Sequence, residues 1–273
     1  MTGDIDEAID WQGRQVDCRP CAHRDLNEGG RCALKHACVR DRYARRIDRF
    51  FSWNPALSNA YLDHPHFEVR AIAAKFADVI LLPPLLADTD ETVRWNAVRR
   101  LPRRYLLLLR EDPHREVRIR VASLLEGGDL VSMMRDDDYY VRLTVARRIG
   151  ADLLPAMMAD EEPEVRRVVA SRIGGSALYR MASDEDAEVR LAAVRRLEPR
   201  DLSGFHRDPD WRVRYEAACR ASPGLLREMI NDPDEVVREF VLQRLEQVEA
   251  QKGANVVRLD PRPSRQTLRE PLR

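Results

Sequence analysis

The chain has 273 residues, 34% charged, 44% hydrophobic and 6% aromatic, and its 46 basic and 46 acidic residues cancel to a net charge of zero. That balance excludes a protein held to a polyanion by net charge alone, and the apolar share excludes an intrinsically disordered chain. High charge beside a normal apolar content suits a fold with much surface per residue, such as a solenoid whose units touch only their neighbours.

Residues 1–16 read as an N-terminal tail. Their start, MTGDIDEAID, is acidic and has no apolar run, unlike a secretory signal. The longest apolar stretch of the chain, Val79 to Ala87, contains Pro83 and Pro84 and is too short for a membrane span. The expectation is a cytoplasmic protein without membrane contact. In that reducing compartment, clustered cysteines point to metal or redox chemistry rather than disulfides.

Residues 17–50 read as a small metal-cluster domain. Cys18, Cys21, Cys32 and Cys38 form the pattern C-x2-C-x10-C-x5-C. Two cysteines three apart reach one centre from a tight turn, and a second pair completes a four-thiolate set. The spacing suits a zinc ion and an iron–sulfur cluster alike. So short and polar a segment needs a staple to fold. Arg19, Arg31, Lys35 and Arg40 stand near enough in sequence to offset the charge of thiolate ligands, and Pro20 with Gly29-Gly30 would shape the ligand loops. His23 and His36 are expected at the surface or behind the thiolates. The remaining cysteine, Cys219, reads as a structural or exposed thiol.

Residues 51–245 carry a repeat. Val-Arg recurs at Val69-Arg70, Val93-Arg94, Val117-Arg118, Val141-Arg142, Val165-Arg166, Val189-Arg190, Val213-Arg214 and Val237-Arg238, every 24 residues. Five residues before each Val stands Asp88, Asp112, Asp136, Asp160, Asp184, Asp208 or Asp232, with His64 in the first slot. The Asp is expected to cap a helix. Pro65, Pro113, Pro209 and Pro233 would then take the first helical position. Apolar residues at the Val and four, five and eight beyond it, such as Val141, Val145, Ala146 and Ile149, mark one helical face. Thirteen residues after the Val comes Leu82, Leu106, Leu130, Leu154, Leu178, Leu202 or Leu226, and three later usually Leu or Met. The roughly ten residues left per unit suit a short 3₁₀ segment. The Arg of each pair is expected to meet its own Asp or that of a neighbouring unit. A second column, Arg100, Arg148, Arg172, Arg196, Arg220 and Arg244, ends the helices, where it would offset the helix dipole or present a basic edge. Residues 246–273, with Pro261, Pro263 and Pro271, read as a disordered basic tail.

The D-x4-V-R unit of 24 residues behind a four-cysteine domain resembles the leucine-rich repeat variant family that carries an iron–sulfur cluster. The likeness covers about residues 17 to 245. It implies an all-α fold, a right-handed superhelical solenoid alternating α- and 3₁₀-helix without β-strands. It also implies a 4Fe–4S cluster on Cys18, Cys21, Cys32 and Cys38, with one structural zinc as the alternative that spacing leaves open.

The family brings no reaction, and the sequence shows no phosphate loop, nucleophile elbow or paired metal-binding histidines of a protease. The expectation is therefore a non-enzymatic scaffold for a protein partner. The alternatives are a redox or iron sensor or electron-transfer module, and nucleic-acid binding through the basic surface.

Overall fold

The structure is a computed structural model that describes residues 7–257, the side chains of 252–257 excepted. It divides into two compact units, Met1–Gly150 and Ala151–Arg273. Among the described residues there is no β-strand, only the isolated bridges Ile9–Gln15 and Ala33–Ala37.

The first unit contains α1 (Arg24–Glu28), α2 (Ala44–Trp53), α3 (Phe67–Phe76), α4 (Glu91–Val98), α5 (Arg103–Leu106), α6 (Arg115–Leu124) and α7 (Tyr139–Arg148). The second contains α8 (Pro163–Arg172), α9 (Ser176–Met181), α10 (Ala187–Val194), α11 (Trp211–Arg220), α12 (Pro223–Glu228) and α13 (Glu235–Val257). The Val-Arg pairs lie on α3, α4, α6, α7, α8, α10, α11 and α13. All eight valines are fully buried, as are Val145, Ala146 and Ile149. Each such burial is worth about 1.5–3 kcal/mol, too little for one unit to order itself alone. The Leu column is buried throughout.

The second element of a unit varies. It is 3₁₀ at Pro83–Ala87, Gly127–Arg135, Leu154–Met157 and Pro199–Arg207, but a short α-helix at α9 and α12. Leu178 and Met181 stay buried in α9, as do Leu226 in α12 and Met229 directly after it. Residues three apart share a face in both helix types, so the apolar pattern does not choose between them. At α12 the choice is local: Pro223 occupies the first turn, and the Ser222 hydroxyl accepts a hydrogen bond from the Leu225 amide.

The capping expectation is corrected. Each helix starts three residues after the Asp column, and the cap sits two residues beyond that Asp, as at Asp90, Asp138, Asp186 and Asp210. Pro65, Pro113, Pro209 and Pro233 accordingly precede the helices instead of opening them. The column Asp has two other partners. Its carboxylate accepts the amide two residues on, for example His114 N to Asp112 Oδ1 at 2.8 Å. It also receives the Arg of the preceding unit through a two-point contact: Arg94 Nε and Nη2 reach Asp112 Oδ2 and Oδ1 at 2.7 and 2.8 Å.

The same contact joins Arg70 to Asp88, Arg118 to Asp136, Arg166 to Asp184, Arg190 to Asp208 and Arg214 to Asp232. The third guanidinium nitrogen turns back to the carbonyl of the Asp slot in its own unit, as Arg94 Nη1 does to Asp88 O at 2.8 Å. One guanidinium thus ties two units together.

The second Arg column closes the preceding helix. Arg196 donates to Ala170 O at 2.8 Å and to Ile173 O, Arg220 to Leu197 O at 2.8 Å and to Val194 O, and Arg100 to Ala74 O at 3.0 Å and to Ala77 O. Arg148 and Arg244 do likewise with Leu125 O and Ala218 O. These carbonyls end a helix and have no partner within it. Arg100, Arg148, Arg196, Arg220 and Arg244 therefore tie each repeat to the one before it through backbone carbonyls.

The boundaries also differ from expectation. Residues 8–16 are not a loose tail: Val16 N donates to Ala8 O, Arg42 N to Ile9 O, and Val16 and Asp10 are buried. At the other end α13 runs to Val257, past residue 245, while 258–273 lie outside the described residues. No described helix is long and apolar enough to cross a membrane.

Candidate metal centre

The four cysteines come from three loops around α1 and α2. Cys18 and Cys21 lie in a turn closed by Cys21 N to Cys18 O at 3.2 Å. Cys32 follows the turn at Gly30, whose φ of +69° is the left-handed backbone that glycine adopts without strain. A second left-handed residue, Lys35 at φ +63°, sits between Cys32 and Cys38. There Ala33 and Ala37 exchange both backbone hydrogen bonds at 2.8 Å and bring the two cysteines together.

All five cysteines of the chain are free thiols; Cys32 and Cys38 are buried, Cys18 and Cys21 partly exposed. The thiols of Cys32 and Cys38 share a hydrogen bond, which with burial pushes Cys32 up, while Cys18 and Cys21 add to the rise. Cys38 moves the other way, to about 7, because it accepts from Cys32 and from the backbone amides of Arg40 and Asp41. Cys18 is raised by burial, then by Cys38 and Cys21. The four sulfurs therefore lie in one electrostatic neighbourhood. Among the described residues, no three His, Cys, Asp or Glu side chains are drawn in to the spacing of a single bound ion.

Of the cations named from sequence, Arg40 faces this neighbourhood, where it opposes the rise at Cys18, and it donates to Asp17 O at 3.3 Å. Arg19 instead holds Asp17 in an exposed two-point pair. His23 stands behind the thiols: its amide donates to Cys21 Sγ at 3.5 Å and its ring is hydrogen-bonded to the Tyr61 hydroxyl. His36 is at the surface, bound by Arg49 and beside Trp53. Cys219 stands apart in α11, where burial pushes its thiol up.

Tyr61 was not singled out by sequence. It reaches the thiols from the 3₁₀ segment after α2, and burial with the charges of Cys21, Cys38 and Cys32 pushes its hydroxyl up to about 12. Nothing in its local sequence signals this placement; it depends on how the segment between α2 and α3 folds back.

The donor set fits an iron–sulfur cluster. Cys32 and Cys38 sit on an apolar floor of Val16, Val39, Ile47, Phe50 and Phe51, with the partly exposed Cys18 and Cys21 in the same electrostatic neighbourhood, backbone amides directed at sulfur and one arginine in range. Behind them, the buried Asp41–Arg46 pair at 2.9 Å locks the Cys38 loop onto α2. The same core includes Val69, Ile72 and Ala73 of α3, so the cysteine segment and the first repeats form one body.

Comparison with known proteins agrees with this geometry. Residues 8–60 match the family model described as LRV protein FeS4 cluster. An uncharacterised 27.7 kDa protein from the nifB 3′ region of Rhodobacter capsulatus is 51% identical over 96 residues, which are 35% of this chain and 39% of that protein. The match thus spans well under half the length of that curated relative. A solved structure described as a leucine-rich repeat variant with a novel repetitive structural motif is 43% identical, with a TM-score of 0.81 over 84% of this chain and 99% of that one. The fold, the repeat and the cysteine domain lead to one assignment: the chain belongs to the leucine-rich repeat variant family and carries that family's iron–sulfur cluster domain.

Proposed function

We propose that Cys18, Cys21, Cys32 and Cys38 each bind one iron of a 4Fe–4S cluster, and that the chain is a cytoplasmic, non-catalytic scaffold for a protein partner. The observation that carries this reading is the shared core, in which Cys32 and Cys38 pack with Val69, Ile72 and Ala73 of the first repeat helix. A repeat stack exposes an apolar face at its end unless something covers it. Here the cysteine loops, α1 and α2 cover that face. When bound, the cluster supplies four metal–sulfur links between loops that otherwise share few backbone hydrogen bonds, together with the ability to carry one electron. The chain's own residues hold the loops: Lys35 and Gly30 set the turns, Asp41 and Arg46 fix the Cys38 loop, and the amides of His23, Arg40 and Asp41 meet sulfur.

A redox or iron sensor is the second reading. It is favoured by the partial exposure of Cys18 and Cys21, which gives solvent or a partner access to one side of the site.

Anaerobic purification followed by visible absorption and metal analysis tests the ligand set. The expected result is a broad band near about 400 nm with about four iron and four sulfide per chain, lost in a Cys32→Ser, Cys38→Ser variant. A colourless protein with about one zinc would overturn it. Chelation of the metal is expected to release hydrogen-exchange protection in α2 and α3 while α10 and α11 stay protected; a reversible midpoint potential without that loosening would move the assignment from scaffold to sensor.

A further inference from the structure

We infer that the exposed face of α3, α4 and α6 holds a binding site for a phosphate ester, built from Lys75, Arg99, Arg100 and Arg120 around Asn96 and Trp95. The inference is independent of the metal centre.

Two positions on successive helices face each other in this repeat: the sixth residue after the Val on one helix and the third after the Val on the next. In the second unit these are Arg195 and Glu216, and they form an ion pair at 3.1 Å. The same register in the first unit places Arg99 opposite Arg120. Both are exposed and neither meets a carboxylate among the described residues. They lie instead against the Trp95 ring, their guanidinium carbons 5.5 and 4.9 Å from its centroid. The nearest acid on α6, Glu116, is engaged by Arg115 at 3.7 Å. Two like charges in the register where Arg195 meets Glu216 cost stability, and the ring offsets that only in part. An anion between them restores the balance.

Next to this pair is a cleft of about 270 Å³ lined by Lys75, Asn96, Arg99 and Arg100. Arg100 is fixed by the carbonyls that end α3, and Lys75 is held at the rim by the exposed Asp48 at 3.0 Å. Asn96 is only 4% exposed; its Nδ2 donates to Thr92 O at 2.8 Å, but its Oδ1 is buried without a partner. Guanidinium groups fit phosphate oxygens through paired hydrogen bonds, and the spare acceptor on Asn96 matches a hydroxyl or amine beside the phosphate. A hydroxyl-bearing phosphate ester supplies both, whether as a free nucleotide or as one residue of an RNA strand.

Trp95 reports occupancy, because a ligand that engages Arg99 and Arg120 alters their stacking on the ring. Titration of the full chain with inorganic phosphate, adenosine monophosphate and a short single-stranded RNA is expected to change a fluorescence signal that Trp95→Phe lacks, with the monophosphate binding more tightly than phosphate. RNA tighter than the monophosphate identifies a strand as the source, and equal affinity a free nucleotide. Arg120→Glu recreates the Arg195–Glu216 arrangement, so it should leave the thermal midpoint unchanged or raise it while weakening binding about tenfold or more. Arg99→Gln provides the same test should the charge reversal disturb folding. Affinity unchanged in these variants overturns the site, as does no response to any phosphate probe. Equal binding of polyglutamate overturns the phosphate assignment and makes the face a dock for acidic protein.

Discussion

At the scale of single residues, the Asp–Arg contact is the unit of cohesion. Asp112 has a side chain 1% exposed, and Arg94 closes on it from the preceding unit. Removing one member of a buried ion pair leaves the other charged and unpaired, which costs about 3–5 kcal/mol. Asp112→Ala is expected to lose that much in urea unfolding, whereas Asp152→Ala, an exposed loop carboxylate, should change little. The period made this contact legible in the sequence, since Asp and Arg recur in fixed register. The role of Asp as helix cap was misread for a physical reason. Asp at the column and Asp two residues later, as in Asp88 and Asp90 or Asp208 and Asp210, are equally good caps by composition. Only the position of the preceding unit's Arg claims the first and leaves the cap to the second. Where the second is His66 or His114, the helix starts without a side-chain cap bond.

Between elements, protonation is the sensitive variable. Burial opposes ionisation of Asp88 and Asp232, but hydrogen bonds from Arg70 and Arg214, with backbone amides, hold both below the usual carboxylate range. Arg212 holds Asp210 down to about 2. A depressed carboxylate contributes stability that is complete above its unfolded value of about 3.9 and is lost as pH falls through the folded one. Burial also lowers His64 and His66, whose neutral forms favour the fold above about 6.5. The thermal midpoint should therefore decline gently below about pH 6.5 and steeply below about 3.9, which scanning calorimetry across pH would register; a midpoint constant to pH 3 would contradict the ladder's role. At this scale the long helices were legible from their apolar faces. The second Arg column was visible by its register, but its partners were not, because they are backbone carbonyls 23 and 26 residues earlier, and carbonyls leave no mark in a sequence. The same holds for the thiol site: the ligand spacing is written in the chain, but Tyr61 and the core shared with α3 arise from long-range packing.

In the molecule as a whole, two features of the ladder set its ends. The first Asp slot holds His64, which offers Arg70 only its carbonyl, at 2.7 Å. No Val-Arg unit precedes it, so no carboxylate is required there. The last Arg, Arg238, keeps its backward bond to Asp232 O, while the position 18 residues ahead is Val256. Within each compact unit, a repeat brings one carboxylate for the repeat before it and one guanidinium for the repeat after it, as Asp112 and Arg118 do for Arg94 and Asp136. Removing residues 191–214 would place Asp232 where Arg190 now finds Asp208, restoring every contact type. That 24-residue deletion is expected to fold with a modestly lower midpoint, while removal of 191–213, one residue fewer, should leave the second unit poorly protected in hydrogen exchange. The contact rule makes length a quantised property: the protein can be shortened or extended in whole steps without designing a new interface, and duplication of its coding segment in that register is the simplest way such a chain grows.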